Sequence, residues 1–459
     1  MNIVPFFNNK LCIDLIKIRY NKMPLSKYRH KVVAPDIAVR VIKSGDRVWF
    51  HANSCFPELL VNALCDRYEE LENVEIVHIT TFHEARYIEP KMQGHFLLNA
   101  LFTSGSVRKA VNEGRADFTP VFLSEISLLI ESYRLPIDVC FLQLSPPDEH
   151  GYCSYGVSNE CSKTAAEHAK IIIAQINHQM PRVLGDNFIH ISKIDFIVET
   201  DHPLMEIPMV DKNIPEEEKK IYQKIGGHIA SLIEDNYTLQ MGIGAIPDAV
   251  LPYLKEKKNL GIHTEMFSDG LIELIELGVV NGEKKTFMPN KVVASFVIAT
   301  KELFDYIDNN PLIEFRPTKF VNDPFNIARN DNMISINSAI QVDFTGQVCA
   351  DSIGHRNYSG FGGQVDFVRG AARSKNGKPI IAFPSTAKNG TISRIVPYLA
   401  QGAGVTTTRG DVQYFITEYG IADLFGKTVR ERVKEMIKIS HPEFRDELEK
   451  KAREFKYLW

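Results

Sequence analysis

The chain has 459 residues, of which 44% are hydrophobic and 24% charged, and its net charge at pH 7 is −4. A chain of this length and apolar content can bury two or three domain cores, which excludes intrinsically disordered and collagen-like proteins. The body of the chain has no basic patch of the kind that nucleic-acid binders show, and no apolar run reaches the roughly 18 residues of a membrane span. We therefore expect a globular protein that binds neither nucleic acid nor membrane.

The seven cysteines are an odd number, and no two of them have C-x-x-C spacing. This pattern is typical of a reducing compartment and argues against a zinc site. We expect most of them to be small buried apolar residues and expect no bound metal.

Residues 1–31 differ from the rest of the chain, since they hold seven lysines and arginines and a single aspartate. Organelle transit peptides are also basic, but they are rich in serine and arginine, whereas this segment is rich in lysine and asparagine. We favour a basic N-terminal extension, or an upstream start codon, in a cytoplasmic protein. The alternative is a transit peptide to the mitochondrion or a related organelle.

Apolar runs typical of buried strands alternate with helical patterns from residue 32 onward. The strand candidates of the first half are residues 47–51, 74–80, 118–123, 139–144 and 171–176, and a helical pattern covers residues 56–70. This alternation predicts a mainly parallel sheet covered on both faces. Polar and proline breaks at residues 202–216 precede a second α/β series, which predicts domains at 32–210 and 211–459.

Residues 237–250 predict a strand, a glycine turn and a helix with Pro247 at its first position. Gly242 and Gly244 would let a ligand approach the backbone, and the free N–H groups at a helix start attract anions. The third glycine of the dinucleotide fingerprint is missing. A phosphate or a developing oxyanion would suit the turn, and a plain turn without a ligand is the alternative.

Glu265 follows a short predicted strand that ends near Thr264, and a helix is predicted after Gly270. The carboxyl end of a strand is where open α/β sheets bind ligands. A carboxylate there can attack a thioester carbonyl and form a mixed anhydride. The alternative is a solvated glutamate in a loop.

Three further segments offer polar groups to a site. The glycines at residues 360, 362 and 363 predict a turn that can present backbone N–H groups to an oxyanion, or else a hairpin or bulge without a ligand. Asn337, on a predicted buried strand, offers an amide. Glu418, at the end of another strand, offers a second carboxylate that could tune the pKa of the first.

Together these segments resemble the acetyl-CoA hydrolase/transferase family, and within it the 4-hydroxybutyrate and butyryl-CoA:acetate CoA-transferase branch, from about residue 35 to the C-terminus. The motifs that carry the resemblance are SPPDEHGYCS at 145–154, GIGAIP at 242–247, HTEMFSDG at 263–270, GGQVDF at 362–367 and TEYGIADL at 417–424. The resemblance implies two similar open, mainly parallel α/β domains with the active site between them, and a homodimer.

The resemblance also implies an activity and its residues. Glu265 would carry CoA as a glutamyl thioester in a ping-pong transfer between acyl-CoA, with a 4-hydroxybutyryl or butyryl group, and acetate. CoA would be substrate and covalent intermediate, with no tightly bound cofactor. Its implied contacts are Gly242, Ile243, Gly244, Ala245, Ile246, Ile340 and Gly363. Gly362, Asn337 and Glu418 are candidates to hold the oxyanion or orient the substrate. The alternatives are an acyl-CoA hydrolase of the same family and a catalytically silent α/β module that senses CoA esters or sugar phosphates.

Overall fold

A seven-stranded parallel sheet forms the core of the N-terminal half in the computed structural model of the chain, which describes residues 25–208 and 214–459. Helices cover both faces of the sheet, so its central strands are buried along almost their whole length and largely apolar. All six residues of Val139–Leu144, for example, are buried. In spatial order the strands are Asp117–Phe118, Phe96–Ala100, Val74–His78, Arg47–Phe50, Val139–Leu144, Ile171–Asn177 and Phe196–Thr200.

An eight-stranded sheet forms the core of the C-terminal half. In spatial order its strands are Ile313–Phe315, Val292–Ala294, Gly261–His263, Thr238–Met241, Met333–Asn337, Lys378–Ala382, Tyr414–Thr417 and Gly420–Asp423. The first seven are parallel, and the last pairs antiparallel with its neighbour because only two residues connect them. The predicted α/β class with two mainly parallel sheets is confirmed.

Short strands and helices complete both halves. The strands outside the two sheets are Tyr152–Ser154, Phe188–His190, Met266–Phe267, Phe296–Val297, Gln341–Asp343, Val348–Cys349, Ser352–Ile353, Arg356–Asn357, Thr386–Ala387, Ile392–Ser393 and Ile395–Val396. The α-helices are Leu25–Tyr28, Pro35–Ala38, Glu58–Asp66, Arg108–Asn112, Ile126–Glu131, Ser162–His168, Glu216–Ala230, Ala245–Leu254, Leu271–Glu276, Lys301–Ile307, Thr318–Val321, Pro324–Ala328, Gln364–Arg373, Val429–Lys438 and Pro442–Glu454. Short 3₁₀ turns occur at Arg29–Lys31, Val39–Val41, Asn53–Cys55, Tyr68–Glu70, Arg86–Ile88, Pro90–Met92, Leu123–Glu125 and Ile191–Lys193.

Two predicted details are wrong. The strand predicted at residues 118–123 is only Asp117–Phe118, because Pro120 has no N–H to donate to a sheet and the chain leaves it there. The helix predicted to begin at Pro247 begins at Ala245. Proline is tolerated at the third helical position because the first N–H groups of a helix have no acceptor within it.

The turn Leu123–Glu125 of the N-terminal half is hydrogen-bonded to the C-terminal half. The N–H of Leu123 donates to the carbonyl of Gly362 at 3.1 Å, and its carbonyl accepts from the Thr318 hydroxyl at 3.2 Å. Ser124 donates to the carboxylate of Asp366 through its N–H at 3.1 Å and through its hydroxyl at 2.8 Å. Four hydrogen bonds therefore connect the two halves at one point.

Two predicted features fall partly or wholly on residues that are not described. The predicted domain boundary at 210/211 lies within residues 209–213, and most of the predicted N-terminal extension lies within residues 1–24. Within 25–208 and 214–459, no helix combines the length and apolarity needed to cross a bilayer. The six cysteines in these ranges are buried and form no disulfide.

Candidate active site

Glu265 lies just beyond the strand Gly261–His263, at the carboxyl edge of the C-terminal sheet. Its side chain is largely buried and faces open space inside the protein. Asn322 Nδ2 donates a hydrogen bond to Glu265 Oε2 at 2.9 Å, and the backbone N–H of Gly363 donates another to the same carboxylate. Two uncharged donors thus hold the carboxylate in one place.

Burial raises the pKa of Glu265 to about 7, because a low-dielectric surrounding disfavours the charged form. The hydrogen bonds from Asn322 and Gly363 lower this pKa, since they stabilise the anion, but burial dominates. A carboxylate of this basicity is a better nucleophile than an ordinary glutamate and is still partly ionised at neutral pH.

Asn322 is positioned by hydrogen bonds that begin in the N-terminal half. The carbonyl of Glu160 accepts from the N–H of Thr318 at 2.9 Å, and the carbonyl of Thr318 accepts from the N–H of Asn322 at 2.8 Å. His263 Nε2 donates to the carbonyl of Val321 at 2.8 Å. Burial lowers the pKa of His263 to about 3, so the ring is neutral and acts as a structural donor. The backbone that carries the Asn322 amide is therefore fixed from both sides.

A second carboxylate lies near Glu265, and it belongs to Asp366. Burial raises the pKa of Asp366 to about 7, the hydrogen bonds from Ser124 oppose the rise, and the charge of Glu265 adds to it. Glu418, the sequence candidate for this role, borders neither cavity described below. Its carboxylate accepts hydrogen bonds from the N–H and hydroxyl of Ser385.

A cavity of 680 Å³ opens on one side of Glu265. The predicted site residues that line it are Gly242, Ile243, Ile246, Asn337, Ile340 and Gly363. Two cationic side chains, Lys388 and Arg394, also line it and give this cavity a positive component. Arg394 is oriented by hydrogen bonds to the carbonyls of Thr386 at 3.2 Å and Ala339 at 3.0 Å. The cavity is large enough for a long, anionic ligand.

Gly244 and Ala245, the other two predicted CoA contacts, do not line this cavity. They form the start of the helix Ala245–Leu254, with Gly244 as its N-cap at φ 109°. Only glycine adopts this backbone angle readily, so the glycine shapes the turn that carries Ile243 and Ile246 into the cavity wall.

A second cavity, of 360 Å³, opens on the other side of Glu265 and lies between the two halves. The N-terminal half contributes mostly apolar walls, with Ile79, Leu101, Val121, Leu123 and Ile126 among them. Glu265, Phe102, Ile243 and Met266 line both cavities, and Gly362 lines this one. The nucleophile candidate thus stands between a larger cavity whose wall includes two cationic side chains and a smaller, more apolar one.

Sequence reasoning missed Asn322 and Asp366. Asp366 lies inside the GGQVDF motif, so its position after two glycines was a usable signal. Asn322 follows the short helix Thr318–Val321 and carries no local signal. Within residues 25–208 and 214–459, no group of three or more His, Cys, Asp or Glu side chains is arranged to hold a metal ion.

We expect kcat/KM to rise with pH through an apparent pKa near 7, because only ionised Glu265 can attack a carbonyl. Since two carboxyl groups interact, this value belongs to the pair. The charge of Glu265 raises the pKa of Asp366, and the repulsion between two carboxylates is mutual, so Asp366→Asn should move the midpoint to lower pH. Glu125→Gln is the control, because Glu125 also bears on Asp366 but is exposed and screened. Equal midpoints in Asp366→Asn and wild type would contradict the coupling.

Known proteins resemble this one over most of its length. Residues 17–211 match the acetyl-CoA hydrolase/transferase N-terminal domain, and residues 299–452 match its C-terminal domain. The 4-hydroxybutyrate coenzyme A transferase of Clostridium kluyveri is 52% identical over 421 residues, which are 92% of this chain and 97% of that protein. A succinyl-CoA:acetate/propanoyl-CoA:succinate CoA transferase of Fasciola hepatica is 46% identical over 90% of this chain and 85% of its own. The crystal structure of 4-hydroxybutyrate CoA-transferase from Porphyromonas gingivalis superposes with a TM-score of 0.81 at 41% identity and covers 94% of this chain and 99% of that one.

Proposed function

The chain belongs to the acetyl-CoA hydrolase/transferase family, as its motifs predict, and it is a CoA-transferase; from this premise we propose that it exchanges CoA between short acyl-CoA thioesters and acetate through Glu265. The observation that carries the proposal is the place of Glu265. It is a carboxylate of raised pKa, held by two donors, at the wall shared by two cavities. This arrangement suits a nucleophile that attacks the carbonyl of a ligand whose two ends occupy the two cavities.

The two cavities suit the two parts of an acyl-CoA. The larger cavity would receive the CoA portion, with Lys388 and Arg394 near its anionic groups. The smaller, apolar cavity would receive the acyl chain. Binding energy from the long CoA portion can then be used at the reacting carbonyl, which lies against Glu265.

The first step is attack of the Glu265 carboxylate on the acyl carbonyl, which gives a tetrahedral oxyanion. Collapse breaks the C–S bond and leaves an acyl-glutamyl anhydride and CoA thiolate. The thiolate attacks the glutamyl carbonyl of the anhydride, which releases the first carboxylate and forms glutamyl-CoA. A second carboxylate reverses these steps, so one thioester is consumed and one is formed.

Gly363 and Asn322 have a role in this sequence beyond positioning. Both donate to the Glu265 carboxylate in the free protein. Once the carboxylate is part of the acyl-glutamyl anhydride, the same donors face its glutamyl carbonyl oxygen. This oxygen carries the developing negative charge when the thiolate attacks. Gly362 and Asn337 line the adjoining cavities and are the candidates for the oxyanion of the substrate.

An acyl-CoA hydrolase would use the same fold with water as acceptor. A relative named acetyl-CoA hydrolase, from Yarrowia lipolytica, is only 26% identical over 74% of this chain, whereas relatives named CoA-transferases reach 52%, which favours transfer over hydrolysis. Exclusion of water from an apolar acyl cavity favours it as well. Homodimer assembly, which the resemblance implies, stays a prediction.

Incubation with butyryl-CoA in the absence of any acceptor acid should add the mass of CoA to the peptide that contains Glu265. Addition of acetate should then remove the adduct and yield acetyl-CoA in equal amount. Product formation that does not depend on acetate would indicate hydrolysis instead. Full transfer to acetate with an unmodified Glu265 peptide would contradict the covalent mechanism.

A further inference from the structure

The smaller cavity has its own opening to solvent. Phe82 and Gly105, which line it, are exposed, and the half-buried Arg108 lines it three residues after Gly105. Tyr358, which lines the larger cavity, is exposed as well. Arg108 Nε donates to the carbonyl of Tyr358 at 2.6 Å, and its guanidinium carbon lies 4.1 Å from the centre of the Tyr358 ring. This contact therefore lies between the openings of the two cavities.

Arg108 is a cation that is held in place without an anionic partner. The helix Arg108–Asn112 is fixed to the C-terminal half, since Asn112 Nδ2 donates to the carbonyl of Asn357 at 2.8 Å and the Asn357 N–H donates to Asn112 Oδ1 at 3.0 Å. Within residues 25–208 and 214–459, the terminal guanidinium nitrogens make no hydrogen bond, and no carboxylate lies within ion-pair distance of them. Such a guanidinium suits a carboxylate ligand, which its N–H groups bind strongly.

The net charge on the wall of the smaller cavity changes during the proposed reaction. The charged side chains that line this cavity are Glu265 and Arg108. In the free protein their charges oppose each other whenever Glu265 is ionised. In the glutamyl-CoA intermediate Glu265 is a neutral thioester, so Arg108 is then the one charged side chain among the described residues that line this cavity. The cavity therefore attracts an anion at the step that needs one.

We propose that Arg108 recruits the acceptor acid: its guanidinium binds the carboxylate group of a short carboxylic acid at the opening of the smaller cavity during the lifetime of glutamyl-CoA. The inference rests on the proposed function, since it requires the glutamyl intermediate. CoA stays attached to Glu265 and occupies the larger cavity at this stage, so the acids exchange through the other opening. The acid then leaves Arg108 and attacks the glutamyl carbonyl, which breaks the C–S bond, releases CoA thiolate and forms the mixed anhydride.

The test compares wild type, Arg108→Gln and Arg108→Lys in transfer from butyryl-CoA to acetate. Arg108→Gln should raise KM for acetate on the order of 10-fold, with KM for butyryl-CoA and kcat at saturating acetate within about 2-fold of wild type. Arg108→Lys keeps the charge and should recover most of the loss. Added salt should lower kcat/KM for acetate more in wild type than in Arg108→Gln, because salt screens the attraction.

Lys109→Gln is the matched control. It removes the same charge from the next residue, whose side chain is exposed and does not line the cavity. KM for acetate should be unchanged in this variant. Formation of the CoA adduct on Glu265 in the absence of added acid should proceed at the wild-type rate in all three variants, because no acid has to enter during this half-reaction.

Other outcomes overturn the inference. Equal KM values for acetate in Arg108→Gln and Lys109→Gln would show that the guanidinium recruits no acceptor. A rise in KM for butyryl-CoA as large as that for acetate, or an Arg108→Lys variant as impaired as Arg108→Gln, would assign Arg108 the packing of Tyr358 instead. Failure of wild type to form the adduct would overturn the proposed function, whereas normal adduct formation with an unchanged KM for acetate in Arg108→Gln overturns this inference alone.

Discussion

Glu265→Gln should lower CoA transfer on the order of 10⁴-fold, because the amide cannot attack a carbonyl and no intermediate can form. Glutamine keeps the volume of the side chain and an oxygen that can accept from Asn322. Glu265→Asp keeps the carboxylate but withdraws it by one methylene, and such a misplacement should cost about 10²-fold. Steady-state rates and the CoA adduct on the peptide should fall together, and Glu302→Gln, an exposed glutamate of the helix Lys301–Ile307, is the matched control.

Glu265→Gln should be more stable than wild type at pH 8. Burial raises the folded-state pKa of Glu265 to about 7, above its value in the unfolded chain, so the folded state binds its proton more tightly. The stability that this proton contributes is present at low pH and is lost as pH rises from about 4.5 to about 7. Glutamine has no charge to bury, so Glu265→Gln should gain up to roughly 3 kcal/mol at pH 8 and little at pH 4. An inactive variant that is destabilised at pH 8 would indicate a damaged fold instead.

Local sequence signals predicted the frame of this protein well. The strand at 139–144 was predicted at its observed bounds, since a central parallel strand is buried on both faces and therefore reads as a largely apolar run. The strand predicted at 118–123 was wrong beyond Phe118. Pro120 has no N–H to donate to a sheet and ends this edge strand, which the apolar character of the run does not reveal. The glycine turns before and after Glu265 in sequence were also predictable, because a turn is determined by the few residues that form it.

The partners of Glu265 could not be predicted in this way. Asn322 is 57 residues from Glu265 in sequence, and Ser124 is 242 residues from Asp366. The first contact depends on how the C-terminal half folds and the second on how the two halves meet, and no local pattern encodes either. Glu418, at the end of a strand, is the second carboxylate that local pattern offers, whereas the carboxylate on which the charge of Glu265 bears is Asp366, in the first turn of the helix Gln364–Arg373.

Gly363→Ala should lower kcat on the order of 10²-fold while the fold is kept. Gly363 has φ −97° and ψ 7°, which alanine adopts without strain, so the effect is purely steric. An added Cβ would overlap Glu265 Oε2 and Asn322 Nδ2 at once. Both the nucleophile and its donor must therefore move by about 1 Å, and a displacement of this size is enough to remove a reacting atom from its productive position. Single-turnover formation of the CoA adduct measures the affected step directly.

Two other glycines separate this local effect from a general loss of packing. Gly226→Ala would place a Cβ against the carbonyl of Ala249, where the helix Glu216–Ala230 packs on the next helix, so it should destabilise the protein but spare kcat of the folded fraction. Gly227→Ala meets only Tyr253 at 3.7 Å and should add up to about 1 kcal/mol of helix stability with unchanged kcat. A Gly363→Ala variant that behaves like Gly226→Ala, with lower stability and normal adduct formation, would show that the close approach serves folding. Loss of adduct formation at normal stability would show that glycine is needed at this position to let the backbone reach the nucleophile.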